Sequence, residues 1–204
     1  MKTIWTKQDF SFALNQEINF AAQNPRFNSL DVNPGDFFIA LPGNNLDGHH
    51  YILDALNRGA VFVIASKIPD GLTLEMKQKI VLVSDTYQAL LDLANYRRRQ
   101  SNAKFIAITG SSGKTTTKSV TSYLLSHFGK TFANYGNFNN HLGVPITLAS
   151  IPQDCEYAVV EIGMNNPGEI KPLTDLVKPD ISIITNVMPA HIGNFKSILE
   201  IAQE

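Results

Sequence analysis

The chain has 204 residues, 44% of them hydrophobic and 17% charged, which reads as a folded protein with enough apolar material for one large or two modest domains. Its 17 basic and 18 acidic residues leave a formal charge of -1, and Arg97, Arg98 and Arg99 form its longest basic run, so the wide basic footprint of a nucleic-acid binder is missing. One cysteine, Cys155, excludes an internal disulfide framework, and the chain has neither a secretory-type start nor an apolar run of about eighteen residues, so no transmembrane segment and a cytoplasmic location are expected.

In chain order, the turn signal Asn33-Pro34-Gly35 precedes an apolar strand at 36–41 (DFFIAL), and a second strand is predicted at 60–65 (AVFVIA). Between them Tyr51, Leu53, Ala55 and Leu56 make a helical face that ends before Gly59, with Ile52 also available for burial. A third strand at 79–84 (KIVLVS) completes a small α/β domain, and the domain boundary is placed near Ser84. The spacing predicts a helix over 85–99 with Leu90, Leu91 and Ala94 inward, ending in the arginine run as a solvated terminus. The second part opens with a strand at 104–109 (KFIAIT), a helix from about 114 to 128, and strands at 157–162 (YAVVEI) and 180–185 (DISIIT). Strand, crossover helix and strand recur, which predicts a mostly parallel sheet with its ligand crevice at the carboxyl ends of the strands. Residues 195–204 read as the start of a helix rather than the end of a domain, so the chain is expected to be a fragment.

Between strand and helix lies Gly110-Ser111-Ser112-Gly113-Lys114-Thr115-Thr116, a phosphate-binding loop in the context that gives the motif its mechanics. Its glycines let the backbone turn and aim amides at phosphate oxygens, and the helix start adds positive partial charge. Lys114 is placed for the terminal phosphates of ATP, and Thr115 for a magnesium ion that bridges them. One departure from the common pattern is Ile108 where a glycine usually stands.

Further polar residues fall at the same end of the predicted sheet. Glu161 closes YAVVEI, where its carboxylate is placed either to bind magnesium or to be a paired surface residue. His191 follows the last strand, in a position where imidazole can ligate a cation or touch phosphate, or serve no such role. Asn137, Asn139 and Asn140 can orient nucleotide or acceptor groups, although Asn and Gly also build turns unaided.

Four ordered segments, ITGSSGKTTTKS, YGNFNNHLGVP, VVEIGMNNPGEI and ITNVMPAHIGNF, together with Asn28-Ser29-Leu30, PGDFFIAL and Asp47-Gly48-His49, resemble the bacterial Mur ligase family along nearly the whole chain. The resemblance implies an α/β fold with a small N-terminal UDP-muramoyl-substrate-binding domain over 1–84 and, over 85–204, the beginning of a central ATP-binding domain with a mostly parallel sheet. It implies ATP-dependent addition of D-alanyl-D-alanine to UDP-N-acetylmuramoyl-tripeptide through an acyl phosphate. Another Mur, folate or cyanophycin-type ligase, or a noncatalytic nucleotide-binding module, is the alternative. On this resemblance Gly110, Ser111, Ser112, Gly113, Lys114, Thr115, Thr116, Asn137 and Asn140 hold ATP, with Thr115, Glu161 and His191 on magnesium and Lys114, Glu161 and His191 serving catalysis. Ser29, Asn45, Leu46, Asp47, Gly48, His49 and Asn139 face the donor substrate. Leu30 departs from the family, which commonly has arginine there and so one more diphosphate contact. The segment alone is expected to be inactive as a ligase.

Overall fold

A computed structural model describes residues 4–43, 46–190 and 192–204. In chain order its elements are α1 (Lys7–Leu14), β1 (Pro25–Arg26), β2 (Phe37–Ile39), α2 (Ile52–Asn57), β3 (Val63–Ala65), α3 (Leu74–Gln78), β4 (Ile80–Leu82), α4 (Thr86–Gln100), β5 (Lys104–Thr109), α5 (Lys114–Leu125), β6 (Thr131–Ala133), α6 (Gly143–Ala149), β7 (Tyr157–Glu161), α7 (Ile170–Val177), β8 (Ile181–Ile184) and α8 (Ile198–Gln203). Short 3-10 turns occupy Ser29–Asp31, Gly48–Tyr51 and Ile192–Asn194.

The chain divides into two units, Met1–Tyr96 and Arg97–Glu204. In the first, four parallel strands lie in the order β1-β2-β3-β4. β2 is apolar on both faces because both are covered, the pattern of a parallel sheet packed on two sides. Phe38 joins Ile52, Ala55, Val63 and Ala65 in one cluster. Phe37 on the other face meets the rings of Trp5, Phe10 and Phe62. α1 delivers Phe10 to that layer and starts with a capping box, in which Thr6 and Asp9 each accept the other's backbone N–H.

The second unit carries a parallel sheet in the order β6-β7-β5-β8. Ile106, Ile108 and Val159 form its core beneath Leu125 of α5. α7 buries Ile170, Leu173, Leu176 and Val177, the spacing of one helical face. Ile108 pairs with Glu161 and Thr109 with Ile184, so β5, β7 and β8 all end at one edge, where the glycine loop begins.

The units divide inside α4, not before it at Ser84. Tyr96 stays with the first unit through its hydroxyl bond to Asp9, 2.8 Å, and its ring against Trp5. Arg98 belongs to the second: it donates to the carbonyls of Val177 and Lys178 at 2.6 and 2.8 Å and covers the Phe105 ring at 3.8 Å. The arginine run is therefore not a solvated end. Arg97 is only 1% exposed and Arg98 is half-buried, leaving Arg99 as the exposed member.

Candidate active site

The glycine loop is formed by backbone conformations that other residues rarely adopt: Gly110 has φ 130° and Gly113 φ 78°. Gly113 caps α5 without any side-chain hydrogen bond, and the first main-chain bond of the helix runs from the Thr117 amide to the Gly113 carbonyl at 2.9 Å. The amides of Lys114, Thr115 and Thr116 thus lack an acceptor within the helix, the arrangement that receives a phosphate. Lys114 Nζ donates to the Gly110 carbonyl at 2.6 Å, folded back across its own loop.

The loop is braced from the segment after β8. Thr185 donates its hydroxyl proton to the Ser112 carbonyl at 2.6 Å, and the Ser111 hydroxyl donates to the Met188 carbonyl at 2.8 Å. The Ser111 amide donates to the Asn186 carbonyl, 3.0 Å, and the Ser112 amide to Asn186 Oδ1, 3.1 Å. Both amides are already engaged, which leaves those of Gly113 to Thr116 to meet a ligand. Thr185 and Asn186 escaped the sequence reading because polar residues after a strand carry no periodic signal.

Glu161 sits at the centre of a buried polar cluster and is itself 1% exposed. It accepts from the Thr115 hydroxyl at 3.0 Å on Oε2 and 3.2 Å on Oε1, and from Asn139 Nδ2 at 2.7 Å. Lys118 Nζ lies 3.2 Å from Oε2. Asn134 fixes the main chain beneath it, accepting from the Glu161 N–H at 2.9 Å and donating to the Glu161 carbonyl at 3.2 Å and the Phe138 carbonyl at 2.9 Å. Lys114, Thr115, Asn139 and Glu161 are thus brought to one edge of the sheet. Lys118 and Asn134 were not singled out in the sequence; both are polar residues at positions the fold buries, and only the fold shows that.

Asn140 Oδ1 accepts from the amides of Leu142 and Gly143 at 3.2 and 2.9 Å, opening α6, and Asn137 is exposed. Cys155 is buried, as an ordinary core residue should be, with its thiol directed at the Tyr157 carbonyl. His191 and Asn45 lie outside the described residues.

In the first unit, Asp47 opens the 3-10 turn at Gly48, accepting the His49 amide at 3.0 Å and pairing with Lys67 at 2.9 Å. These contacts, the His49 amide first and Lys67 second, hold its carboxyl well below the ordinary range. Gly48 is required by space, since a Cβ there would lie 2.7 Å from the Leu41 carbonyl oxygen. His49 is buried: its Nε2 accepts the Ser66 N–H at 3.0 Å, so Nδ1 bears the proton and donates to Asp47 at 2.6 Å. Ser29 is buried as well, and its hydrogen bond keeps the Asp54 carboxyl below its usual value. Leu30 and Leu46 are exposed.

Two family models match the chain: "Mur ligase family, catalytic domain" over residues 26–98 and "Mur ligase middle domain" over 108–204. The chain belongs to the Mur ligase family. Among curated Mur ligases it is 48% identical over 202 residues to the UDP-N-acetylmuramoyl-tripeptide--D-alanyl-D-alanine ligase of Rickettsia prowazekii, covering 98% of this chain and 44% of that protein. The Escherichia coli ligase of the same name is 37% identical over 172 residues, 84% of this chain and 37% of its own. Solved Mur ligases agree. MurF from Acinetobacter baumannii superposes with a TM-score of 0.84 at 34% identity, over 98% of this chain and 44% of that one. MurF from Thermotoga maritima, solved in complex with ADP, gives 0.74 at 31% identity, over 89% and 42%. The chain therefore spans less than half the length of these relatives.

Proposed function

We propose that this chain is the donor-binding and nucleotide-binding part of a cytoplasmic ATP-dependent amide ligase that adds D-alanyl-D-alanine to UDP-N-acetylmuramoyl-tripeptide in peptidoglycan precursor synthesis. The observation that carries the reading is the convergence of Lys114, Thr115 and Glu161 at the ends of neighbouring parallel strands, beside a helix start whose first amides have no acceptor in the helix. The relatives named for this reaction support the choice of substrates.

The donor carboxylate attacks the γ-phosphorus of ATP, ADP leaves, and the resulting acyl phosphate is attacked at its carbonyl carbon by the amine of D-alanyl-D-alanine. Phosphate departs with the electron pair of the broken C–O bond, and the amine gives up a proton. A carboxylate is a poor acyl electrophile, so activation is chemically necessary, and no protein nucleophile is required. Lys114 turns from the Gly110 carbonyl to the phosphates, whose oxygens the amides of Lys114, Thr115 and Thr116 receive. Thr115 and Glu161 offer oxygen donors of the kind magnesium takes, and His191 is a further candidate ligand; when bound, the ion supplies charge neutralisation on the phosphates. Asn139 and Glu161 are hydrogen-bonded to each other, so donor-side and metal-side groups share one network. Ser29 and residues 45–49 are the donor-side candidates of the first unit.

The test is product formation by the intact protein with ATP, magnesium, UDP-N-acetylmuramoyl-tripeptide and D-alanyl-D-alanine, next to Lys114→Ala. ATP-dependent amide product that disappears in the variant is expected. Nucleotide binding without ligation would overturn the ligase reading, and full turnover by Lys114→Ala would overturn the loop assignment.

A further inference from the structure

Lys118 lies one helical turn beyond Lys114 and Thr115 on α5, yet it is 5% exposed. Its Nζ donates to the Gly136 carbonyl at 2.8 Å and pairs with Glu161 Oε2 at 3.2 Å. A lysine head group is ordinarily left in water, and withdrawing it this far is costly unless it is paired. This one meets one carbonyl, that of Gly136, and one charged partner, the Glu161 carboxylate of the candidate active site.

The consequence for Glu161 follows from counting lone pairs. A carboxylate offers roughly four acceptor sites. On Oε1 they face Asn139 Nδ2 and the Thr115 hydroxyl, and on Oε2 the Thr115 hydroxyl again and Lys118. Three protein donors thus engage the carboxylate, the one Thr115 hydroxyl proton being shared between its two oxygens, and the Glu161–Lys118 pair is neutral, with Lys114 adding positive charge at the adjoining helix start. A free divalent cation approaching Glu161 meets the repulsion of Lys118 and Lys114 and at most one open acceptor position. A cation carried on a nucleotide arrives with excess negative charge, which Lys114 and the first amides of α5 attract.

We propose that Lys118 is a positioning residue that closes the Glu161 carboxylate to free divalent cations and makes the site responsive to a metal only when a nucleotide brings it. The proposal rests on the reading of Lys114 to Thr116 as the nucleotide loop. The bond from Lys118 to Gly136 retains the ammonium beside the carboxylate, so Glu161 can surrender one contact without losing its counter-charge.

The experiment uses the intact protein and its Lys118→Met, Lys118→Arg and Lys118→Met/Glu161→Gln variants. Mn2+ alone is titrated with the free-ion electron paramagnetic resonance signal as readout, and MgADP by calorimetry. Wild type and Lys118→Arg are expected to bind Mn2+ weakly, and Lys118→Met to bind it about tenfold more tightly while holding MgADP several-fold more weakly. The double variant, which removes both buried charges together, is expected to lose the added Mn2+ affinity. Unchanged Mn2+ binding by folded Lys118→Met, or added affinity that persists in the double variant, overturns the proposal. So does wild type binding Mn2+ as tightly without ADP as with it, a comparison that needs no variant. Absence of MgADP binding in wild type overturns the nucleotide reading itself, and the proposal with it.

Discussion

A Cβ on Gly110 would stand 2.2 Å from the Thr185 hydroxyl oxygen, the same oxygen that donates its proton to the Ser112 carbonyl. The turn into the phosphate loop therefore depends on an absent side chain, because the space it would need holds the brace for the next residue but one. Gly110→Ala is expected to weaken MgADP binding by tenfold or more and to lower the melting temperature, since backbone strain in this region costs about 1–3 kcal/mol before any clash is counted. Gly110→Ala/Thr185→Ala is expected to recover only part of the loss: it removes the hydroxyl but leaves the Asn186 carbonyl oxygen and the Thr185 nitrogen 3.0 Å from the new Cβ and φ at 130°, which suits glycine alone. Calorimetric titration of both variants with MgADP checks this, and full recovery in the double variant would show that the clash was the whole effect.

Asn134→Ala is expected to destabilise the second unit by about 2–3 kcal/mol, because it takes the Asn134 amide from the buried N–H and carbonyl of Glu161. Asn134→Asp keeps an acceptor for the Glu161 N–H but loses the donor and sets a second carboxylate near the first, so it is expected to be no better. Urea denaturation of the intact protein, followed by a probe in the second unit, measures both. A loss under half a kcal/mol in Asn134→Ala, within the usual range for exposed surface substitutions of about ±0.5 kcal/mol, would contradict the bracing role.

Asp47 gives the first unit a pH dependence whose sign is fixed. Its carboxyl is held below the ordinary value by the His49 amide and Lys67, so the stability it contributes is fully present above the unfolded value and fades as pH falls toward the folded one. Melting temperatures of wild type and Asp47→Asn are expected to differ most near neutrality and to converge below about pH 4, where the unfolded carboxyl takes up its proton. A difference that widened on acidification would contradict the assignment.

Arg98 binds through geometry as much as charge, with two carbonyls at the end of α7 and the Phe105 ring under its plane. Arg98→Leu is expected to cost about 1–2 kcal/mol, and Arg98→Lys to restore little of it, since an ammonium cannot stack and reach both carbonyls together. Chemical denaturation of the two variants decides between this and a purely electrostatic role, in which lysine would substitute.

Among the described residues, the strands other than β1 and β6 were legible because their apolar runs are dense: Lys104–Thr109 forms as a strand over the whole predicted span, and Tyr157–Glu161 stops one residue short of it, whereas the two and three residues of β1 and β6 are too few to show a pattern. α1, α3, α6 and α7 were not foreseen. α6 is buried throughout, so it shows no polar face to mark a helical period, and α1 and α3 are too short for periodicity to accumulate. In the site, Lys114, Thr115 and Glu161 could be read because a motif or a strand end marks them. Lys118, Asn134 and Thr185 could not, because each draws its role from a partner distant in the chain.

The amide of Asn134 faces both main-chain groups of Glu161, taking its N–H and giving to its carbonyl as a neighbouring strand would. β6 has ended by then, at Ala133, so a side chain stands in for the next rung of the ladder. The outcome is a division of labour within one residue: the peptide of Glu161 is bolted to the sheet while its carboxylate is engaged by side chains alone. A residue whose backbone moved with its side chain would carry every change of ligand into the sheet. Here the Asn134 amide anchors the Glu161 peptide independently of whatever its carboxylate meets.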